Sequence, residues 1–227
     1  MPGRLDMHTS IFQVAGPVMI GPSSSHTAGA AKIGRIAGQI AGGDFQKVTF
    51  GLYGSFDKTG KGHGTDRALL AGVMGIREDD ERIPQAFDIA RDRGLDFEFY
   101  TADLDGAHEN TAVITFYRSG KQIAEIQASS IGGGNIRIDK IDGYSVGISG
   151  TLPTVFVRQD DREGVISHVA TVLAENGINI ATMKVSRAQK SKEAICVIEV
   201  DDQVTPEVFE KLKHHEHIKE VKLIACC

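Results

Sequence analysis

Hydrophobic positions near the start of the chain recur first with helical spacing and then with strand spacing. Residues 28–42, AGAAKIGRIAGQIAG, are mostly small or apolar, and Ile33, Ile36 and Ile40 fall on one helical face. The many small residues predict that this helix packs closely against its neighbour. The run KVTFGLYG that follows predicts a strand. Similar patterns predict helices at 65–76 and 83–93 and strands at 97–100, 111–118, 121–129 and 135–141.

The C-terminal third of the chain has a more regular pattern. It predicts a strand, a helix, two strands, a helix and a strand, which is the βαββαβ order of a ferredoxin-like unit. The first of these helices, 165–176, carries Val165, Val169, Val172 and Leu173 on one face. This apolar stripe predicts that the helix packs on the sheet.

A change in composition at residues 142–153, DGYSVGISGTLP, separates the two regions. We therefore predict an α+β fold with two domains. The first, at 1–147, is a mixed α/β domain, and the second, at 148–227, is the ferredoxin-like unit.

Composition and charge exclude several classes of protein. The formal net charge of the 227 residues is −5, and the sequence has no stripe of basic residues that would indicate a nucleic-acid-binding surface. No apolar run is long enough to cross a bilayer, and the N-terminus lacks the features of a secretory signal. Cys196, Cys226 and Cys227 fit neither a disulfide framework nor the ligand spacing of a zinc or iron–sulfur site. We expect a cytoplasmic protein without a metal site of its own, whose two terminal cysteines form a free, exposed tail.

The first candidate for chemistry is GPSSSHTAGA at residues 21–30, directly before the first predicted helix. Ser and Thr are favoured helix caps, because their oxygens accept the unpaired N–H groups of the first turn. One such residue is enough for a cap, whereas this segment has three serines, a histidine and a threonine. The same unpaired N–H groups and the helix dipole attract anions such as a carboxylate. A cap alone and a binding or catalytic loop are both compatible with the segment.

A second candidate is TGKGHGTD at residues 59–66, also before a helix. It lacks the spacing of a phosphate-binding loop, so we exclude a nucleotide site. Lys61 could hold a carboxylate as a point charge, and His63 lies between two glycines. A surface loop with solvated charges is the alternative. The triplet His108-Glu109-Asn110 before a strand is a weaker candidate.

In the second domain, the loop before the first helix is a candidate ligand site. Gly164 would leave room for a ligand backbone, and the exposed N–H groups at the helix start could bind a carboxylate. The candidate ligand residues are Asp161, Gly164, Val165, Asn179 and Ile180. A plain dimerising sheet that binds nothing is the alternative.

A family resemblance covers nearly the whole chain. In the first domain it lies in GPSSSHTAGA, GSFDKTGKGHGTD, HENTAVITF and GGGNIRI, which resemble the beta subunit of the two-subunit, iron–sulfur-dependent L-serine dehydratases of bacteria. In the second domain it lies in DREGVISHVATVLAENGINIATMKVSR, which resembles an ACT domain. The resemblance implies a serine dehydratase beta-chain domain followed by a ferredoxin-like ACT domain.

The resemblance also implies a reaction, a cofactor and partners. In this family L-serine loses water and then gives pyruvate and ammonia, and a [4Fe-4S] cluster held by cysteines of the alpha subunit acts on the substrate hydroxyl. The beta subunit completes the active site, and its ACT domain regulates or self-associates. The implied catalytic residues are His26, His63 and Lys61, and the implied substrate-binding residues are Ser23, Ser24, Ser25, Thr27 and Asn110. The sequence does not decide which histidine acts as acid or base.

Two other functions compete with this one. The chain could be a regulatory module that senses serine without chemistry, since a related domain binds serine in some phosphoglycerate dehydrogenases. A self-sufficient Ser/His hydrolase is a poor alternative, because the chain has no G-x-S-x-G nucleophile elbow and no identifiable orienting acid.

Overall fold

The computed structural model describes residues 18–187 and 192–225, which form two β-sheets with helices packed on them. The larger sheet has six strands in the order β2-β1-β3-β4-β5-β6, and the smaller has four in the order β10-β7-β9-β8. The strands are β1 Lys47–Gly54, β2 Asp96–Thr101, β3 Asn110–Arg118, β4 Lys121–Gly132, β5 Asn135–Ile141, β6 Tyr144–Ile148, β7 Thr154–Asp160, β8 Ile180–Arg187, β9 Glu193–Val200 and β10 Ile218–Ile224.

The described helices are divided between the two sheets. With the larger sheet lie α1 Ala30–Ala41, α2 Ser55–His63, α3 Thr65–Val73 and α4 Ala86–Asp92, and with the smaller lie α5 Val165–Glu175 and α6 Pro206–Lys213. A π-helical turn, Ser24–Gly29, leads directly into α1, and a short 3₁₀ turn, Ile83–Gln85, leads into α4. These elements confirm the α+β prediction.

Helices α1 and α3 pack closely through two glycines, as the small residues of the sequence predicted. A Cβ added at Gly72 would lie 2.8 Å from the amide nitrogen of Arg35 and closer still to the carbonyl oxygen of Ala31. A Cβ added at Gly34 would collide in the same way with the carbonyl oxygen of Leu69. The two backbones therefore approach more closely than any larger side chain permits.

The smaller sheet has the predicted ferredoxin-like topology. Numbered within the unit, its strands lie in the order 4-1-3-2, and each neighbouring pair is antiparallel. The predicted apolar stripe of α5 is buried, with Val165 and Val169 fully covered. Helix α5 ends at Glu175, Asn176 caps it, and Gly177 then adopts the left-handed conformation typical of a helix end.

One face of the smaller sheet packs into the hydrophobic core of the larger sheet, while its other face forms a separate core with α5 and α6. Phe156, Ile195, Val197 and Ile224 of the smaller sheet belong to the same buried cluster as the side chains of α1 and the larger sheet. Polar contacts join them as well, because the buried Glu199 of β9 accepts hydrogen bonds from both the N–H and the hydroxyl of Ser149. The predicted division between residues 147 and 148 falls at the end of β6 and stays a prediction.

One helix and one strand differ from the predictions. Residues 55–63 form α2, although the glycines of this segment favour a loop, and strand β6 lies within residues 142–153, whose composition predicts a boundary. Strand β6 forms because its backbone pairs with β5, and its side chains Val146 and Ile148 are buried in the core. No helix of the described residues is both long and apolar enough to cross a membrane.

Candidate active site

The serine-rich segment forms the start of a helix rather than a loop before one. Ser24–Gly29 form a π-helical turn. Such turns are rare in proteins, and those that occur are frequently found at functional sites. Ser23 caps this turn, since its Oγ accepts a hydrogen bond from the His26 N–H at 3.1 Å. Thr27 is buried, and its hydroxyl donates to the carbonyl of His63 at 3.0 Å. The hydroxyls of Ser23 and Thr27 therefore both have structural partners.

The hydroxyls of Ser24 and Ser25 are different. Both residues are half-buried, and neither side chain has a hydrogen-bond partner in the part of the chain that the structure describes. These two hydroxyls are therefore available to a ligand.

Helix α2 begins at the end of β1, where a glycine turns the chain. Gly54 has a φ of +60°, and a Cβ at this position would lie 2.6 Å from the carbonyl oxygen of Glu109. That same carbonyl accepts the N–H of Ser55 at 2.6 Å, so the His108-Glu109-Asn110 segment closes the start of α2. Asn110 pairs directly with Gly54, and its side-chain oxygen is buried without a partner. This places Asn110 beside the beginning of α2.

A cluster of four side chains forms where α2 meets the π-helical turn. Ser55, Thr59 and His63 are spaced four residues apart and thus share one face of α2. The Nε2 of His26 lies 3.0 Å from the Ser55 Oγ and 3.1 Å from the Thr59 Oγ1. The rings of His26 and His63 have centroids 4.9 Å apart, and the edge of His26 packs against Phe56. We call His26, Ser55, Thr59 and His63 the histidine cluster.

The surroundings of His26 affect its protonation. Burial lowers the pKa of its ring below the ordinary 6.5, and the nearby His63 lowers this pKa further, while the adjacent backbone of Ser55 opposes the shift. His26 is therefore neutral at pH 7 and has one nitrogen free to accept a proton.

Lys61 is not brought into the histidine cluster. It follows Thr59 by two residues and so points about 200° away around α2. It lines a cleft of about 410 Å³ with Asp57, Asp66 and the aromatic rings of α4 and β2, and no member of the histidine cluster lines this cleft. Its predicted catalytic role stays untested, and it finds no support in this geometry.

The candidate ligand residues of the smaller sheet lie around the start of α5 and β8. Gly164 precedes α5 with a φ of +89°, Val165 is buried, and Ile180 pairs with β9. Both polar side chains have partners already: Asp161 accepts from the guanidinium of Arg187 at 2.9 Å, and Asn179 donates to Asp201 at 2.6 Å. The site stays a prediction.

The structure offers little for a metal. Within residues 18–187 and 192–225, no group of three His, Cys, Asp or Glu side chains could hold a metal ion. The one cysteine there, Cys196, is buried in β9, and burial raises the pKa of its thiol to about 12. Cys226 and Cys227, predicted to be a free tail, lie outside the described residues.

Ser55 and Thr59 are the site residues that the sequence analysis missed. Their signal is the spacing Ser-x₃-Thr-x₃-His in SFDKTGKGH, which places three side chains on one face only if the segment is a helix. Gly60 and Gly62 concealed the helix, because glycine is a poor helix former.

Comparisons with known families agree with the two-part fold. The family described as Serine dehydratase beta chain matches residues 10–93, and the ACT domain family matches residues 153–216. The first match includes the whole histidine cluster, and the second includes most of the smaller sheet.

Curated relatives match over greater lengths. The chain is 41% identical over 218 residues to a probable L-serine dehydratase, beta chain, of Bacillus subtilis, covering 96% of this chain and 99% of that protein. It is 39% identical over 197 residues to the L-serine dehydratase, beta chain, of Peptoniphilus asaccharolyticus, covering 86% and 89%. It is also 29% identical over 196 residues to the D-3-phosphoglycerate dehydrogenase of Bacillus subtilis, covering 86% of this chain and 37% of that protein.

Proposed function

The chain belongs to the family of L-serine dehydratase beta chains, and on that premise we propose that it completes the active site of an L-serine ammonia-lyase. In this proposal an alpha subunit carries a [4Fe-4S] cluster, and the assembled enzyme eliminates water from L-serine to give pyruvate and ammonia. The observation that carries the proposal is the histidine cluster, which lies within the stretch that matches the family.

The iron–sulfur cluster does not fit this chain's own described residues. Such clusters are held by several cysteine thiolates. Cys196 is the one cysteine among residues 18–187 and 192–225, and its buried thiol stays protonated because its pKa is about 12. The proposal therefore places the cluster on the alpha subunit, and we assign no step of its chemistry to this chain.

The residues around the π-helical turn suit the polar ends of an amino acid. The unpaired hydroxyls of Ser24 and Ser25 can donate to the substrate carboxylate at the positive end of the turn. The buried side-chain oxygen of Asn110 lacks a donor, and an unsatisfied buried acceptor costs about 1–3 kcal/mol. A substrate ammonium group would supply that donor.

Proton transfer is the second task of the histidine cluster. Elimination requires a base that removes the proton from the substrate Cα. His26 is suited to this because its lowered pKa keeps it neutral at pH 7, and the adjacent His63 is a second candidate. A well-placed general base contributes about 10²–10⁴-fold to a rate.

The experiment is a reconstitution of the two subunits with cluster, followed by measurement of pyruvate formed from L-serine. We expect His26→Ala to lower kcat at least 100-fold, as expected for loss of a general base. His214→Ala is the matched control, because this exposed histidine lies at the end of α6 on the smaller sheet. Activity of His26→Ala within a few-fold of the unaltered enzyme would exclude a catalytic role for His26.

A second candidate function is a serine sensor without chemistry. The similarity to a D-3-phosphoglycerate dehydrogenase favours it, because that match covers 86% of this chain within a protein named for another reaction. Co-purification separates the two functions. An enzyme subunit should bring down a brown, cysteine-rich partner and form pyruvate, whereas a sensor should bind L-serine and do neither.

The smaller sheet would have a regulatory role in either function. We propose that the region of Gly164 and Asn179 binds a small amino acid and that copies of the chain associate through this unit. Titration calorimetry with L-serine on the full chain tests the first part. Asn179→Ala should weaken one class of sites, and a binding isotherm unchanged by this substitution would contradict the ligand site.

A further inference from the structure

The contacts of the histidine cluster determine where its protons lie. Three polar contacts connect the side chains of His26, Ser55 and Thr59, and a fourth joins the Thr59 hydroxyl to a backbone carbonyl. The Nε2 of His26 contacts the Ser55 Oγ at 3.0 Å and the Thr59 Oγ1 at 3.1 Å. The two hydroxyls lie 3.3 Å apart, and the Thr59 Oγ1 lies 2.9 Å from the carbonyl oxygen of Ser55. The last of these contacts has a fixed direction, because a carbonyl oxygen only accepts.

One arrangement of protons satisfies all four contacts. Thr59 donates its single proton to the Ser55 carbonyl, a bond that helical threonines commonly make to the residue four positions earlier. Its oxygen is then an acceptor toward Ser55 and toward His26. If the His26 Nε2 carries a proton, it donates to both hydroxyl oxygens, and the Ser55 hydroxyl donates to the Thr59 Oγ1.

The opposite tautomer of His26 leaves contacts unsatisfied. With a lone pair on Nε2, the four contacts share only the two hydroxyl protons of Ser55 and Thr59, whereas the first arrangement supplies three protons. When the Ser55 hydroxyl donates to Nε2 and the Thr59 hydroxyl donates to the Ser55 carbonyl, the Thr59 Oγ1 faces a lone pair on Nε2 and another on the Ser55 Oγ. These facing lone pairs disfavour this tautomer, although Thr59 itself is exposed.

We infer that Ser55 and Thr59 are positioning residues that hold neutral His26 with its proton on Nε2 and its basic lone pair on Nδ1. The Nδ1 atom has no hydrogen-bond partner in the described part of the chain, so its lone pair is open. The catalytic consequence of this arrangement rests on the proposed function, whereas the tautomer itself does not.

Thr59 orients the second ring too. The Nδ1 of His63 lies 3.1 Å from the Thr59 carbonyl oxygen and must donate to it. The basic lone pair of neutral His63 is therefore on Nε2. One residue thus determines both tautomers: its hydroxyl accepts from His26, and its carbonyl accepts from His63. His26 therefore has its basic lone pair on Nδ1 and His63 has its basic lone pair on Nε2, so the site contains two bases that differ in the ring atom that accepts a proton.

Histidine tautomers are measured directly by long-range ¹H–¹⁵N correlation spectra of the full chain labelled with ¹⁵N at histidine. We expect His26 to show a protonated Nε2 and an unprotonated Nδ1 at neutral pH. Thr59→Val removes the hydroxyl and should populate the other tautomer, while Thr59→Ser keeps it and should restore the original spectrum. The inference is overturned if His26 of the unaltered chain is protonated on Nδ1. It is also overturned if the histidine spectrum of Thr59→Val is identical to that of the unaltered chain.

Kinetics of the assembled enzyme test the consequence. Thr59→Val should lower kcat about tenfold, as expected for one lost hydrogen bond, with KM changed less than twofold. Thr59→Ser should recover most of that loss. Thr171→Val is the matched control, because Thr171 is also an exposed helical threonine and lies on α5, outside the histidine cluster. If the unaltered assembly forms no pyruvate while His26 still shows the Nε2–H tautomer, the proposed function fails and the inference stands.

Discussion

Replacing Gly72 with alanine tests the close packing of α1 on α3. The added methyl carbon would lie 2.8 Å from the Arg35 amide nitrogen and 3.0 Å from the carbonyl carbon of Ala31, where ordinary contacts are 3.4–4 Å. The obstacle is backbone, which cannot rotate away as a flexible side chain would. The two helices must therefore separate or bend.

The expected cost follows from two opposing effects. Overpacking of a close-packed interior costs about 1–3 kcal/mol, while alanine is about 1 kcal/mol better than glycine inside a helix. Because the obstacle at Gly72 is backbone, we expect the upper part of the overpacking range, about 2–3 kcal/mol. Subtracting about 1 kcal/mol for the better helix former leaves a net loss of about 1–2 kcal/mol in the free energy of unfolding. For a chain of this size that is a fall in Tm of about 3–6 °C, measured by thermal denaturation followed by circular dichroism. Because α1 continues from the turn that carries His26, the assembled enzyme should lose activity as well.

Gly62→Ala is the control for the same chemical change. Gly62 lies inside α2, is exposed, and would have nothing within 4 Å of its Cβ. At this position the substitution changes only the intrinsic helix propensity, which is higher for alanine than for glycine, so we expect Tm to rise by about 1–3 °C. Equal shifts for Gly62→Ala and Gly72→Ala would refute the packing argument, because the two sites differ in available space and not in the residue introduced.

Two further predictions concern a buried carboxylate and a histidine. Glu199→Ala should lower the free energy of unfolding by about 2–3 kcal/mol, because Ser149 and Thr182 lose the carboxylate that accepts their hydrogen bonds. Urea denaturation measures this free energy, and a loss below about 0.5 kcal/mol would contradict the prediction. Because the pKa of His26 is lower in the folded chain than the ordinary 6.5, the unfolded state binds more protons and stability falls as pH drops below about 6.5. His26→Gln should flatten this fall between pH 7.5 and 5.5 in denaturation curves, and an unchanged slope would contradict the lowered pKa.

The smaller sheet was predictable from sequence because its signals are local. Each of its strands and helices has its own periodic pattern, and the order of elements suffices to specify the topology. The stripe from Val165 to Leu173 identifies the buried face of α5 without any knowledge of its partners. The first predicted helix was found for the same reason.

The candidate site was only partly predictable, because it depends on contacts between distant segments. The serine-rich segment and His63 were identified as polar groups before helices, yet the contact of His26 with Ser55 joins residues 29 positions apart. Helix α2 was missed because its helical conformation is favoured by tertiary packing of the buried Phe56 more than by its glycine-containing sequence. The separation of Lys61 from His63 could not be seen until that helix was known.

The shared core has a consequence for engineering chimeric proteins. A foreign βαββαβ unit joined after Ile148 would need to supply the apolar groups that Phe156, Ile195, Val197 and Ile224 contribute to the core of the larger sheet. A fusion that ignores these side chains would leave that core incompletely filled. A successful graft would thus require apolar side chains of matching size at these four positions. The part of the protein that can be exchanged as a unit therefore includes this interface as well as the four strands and two helices of the smaller sheet.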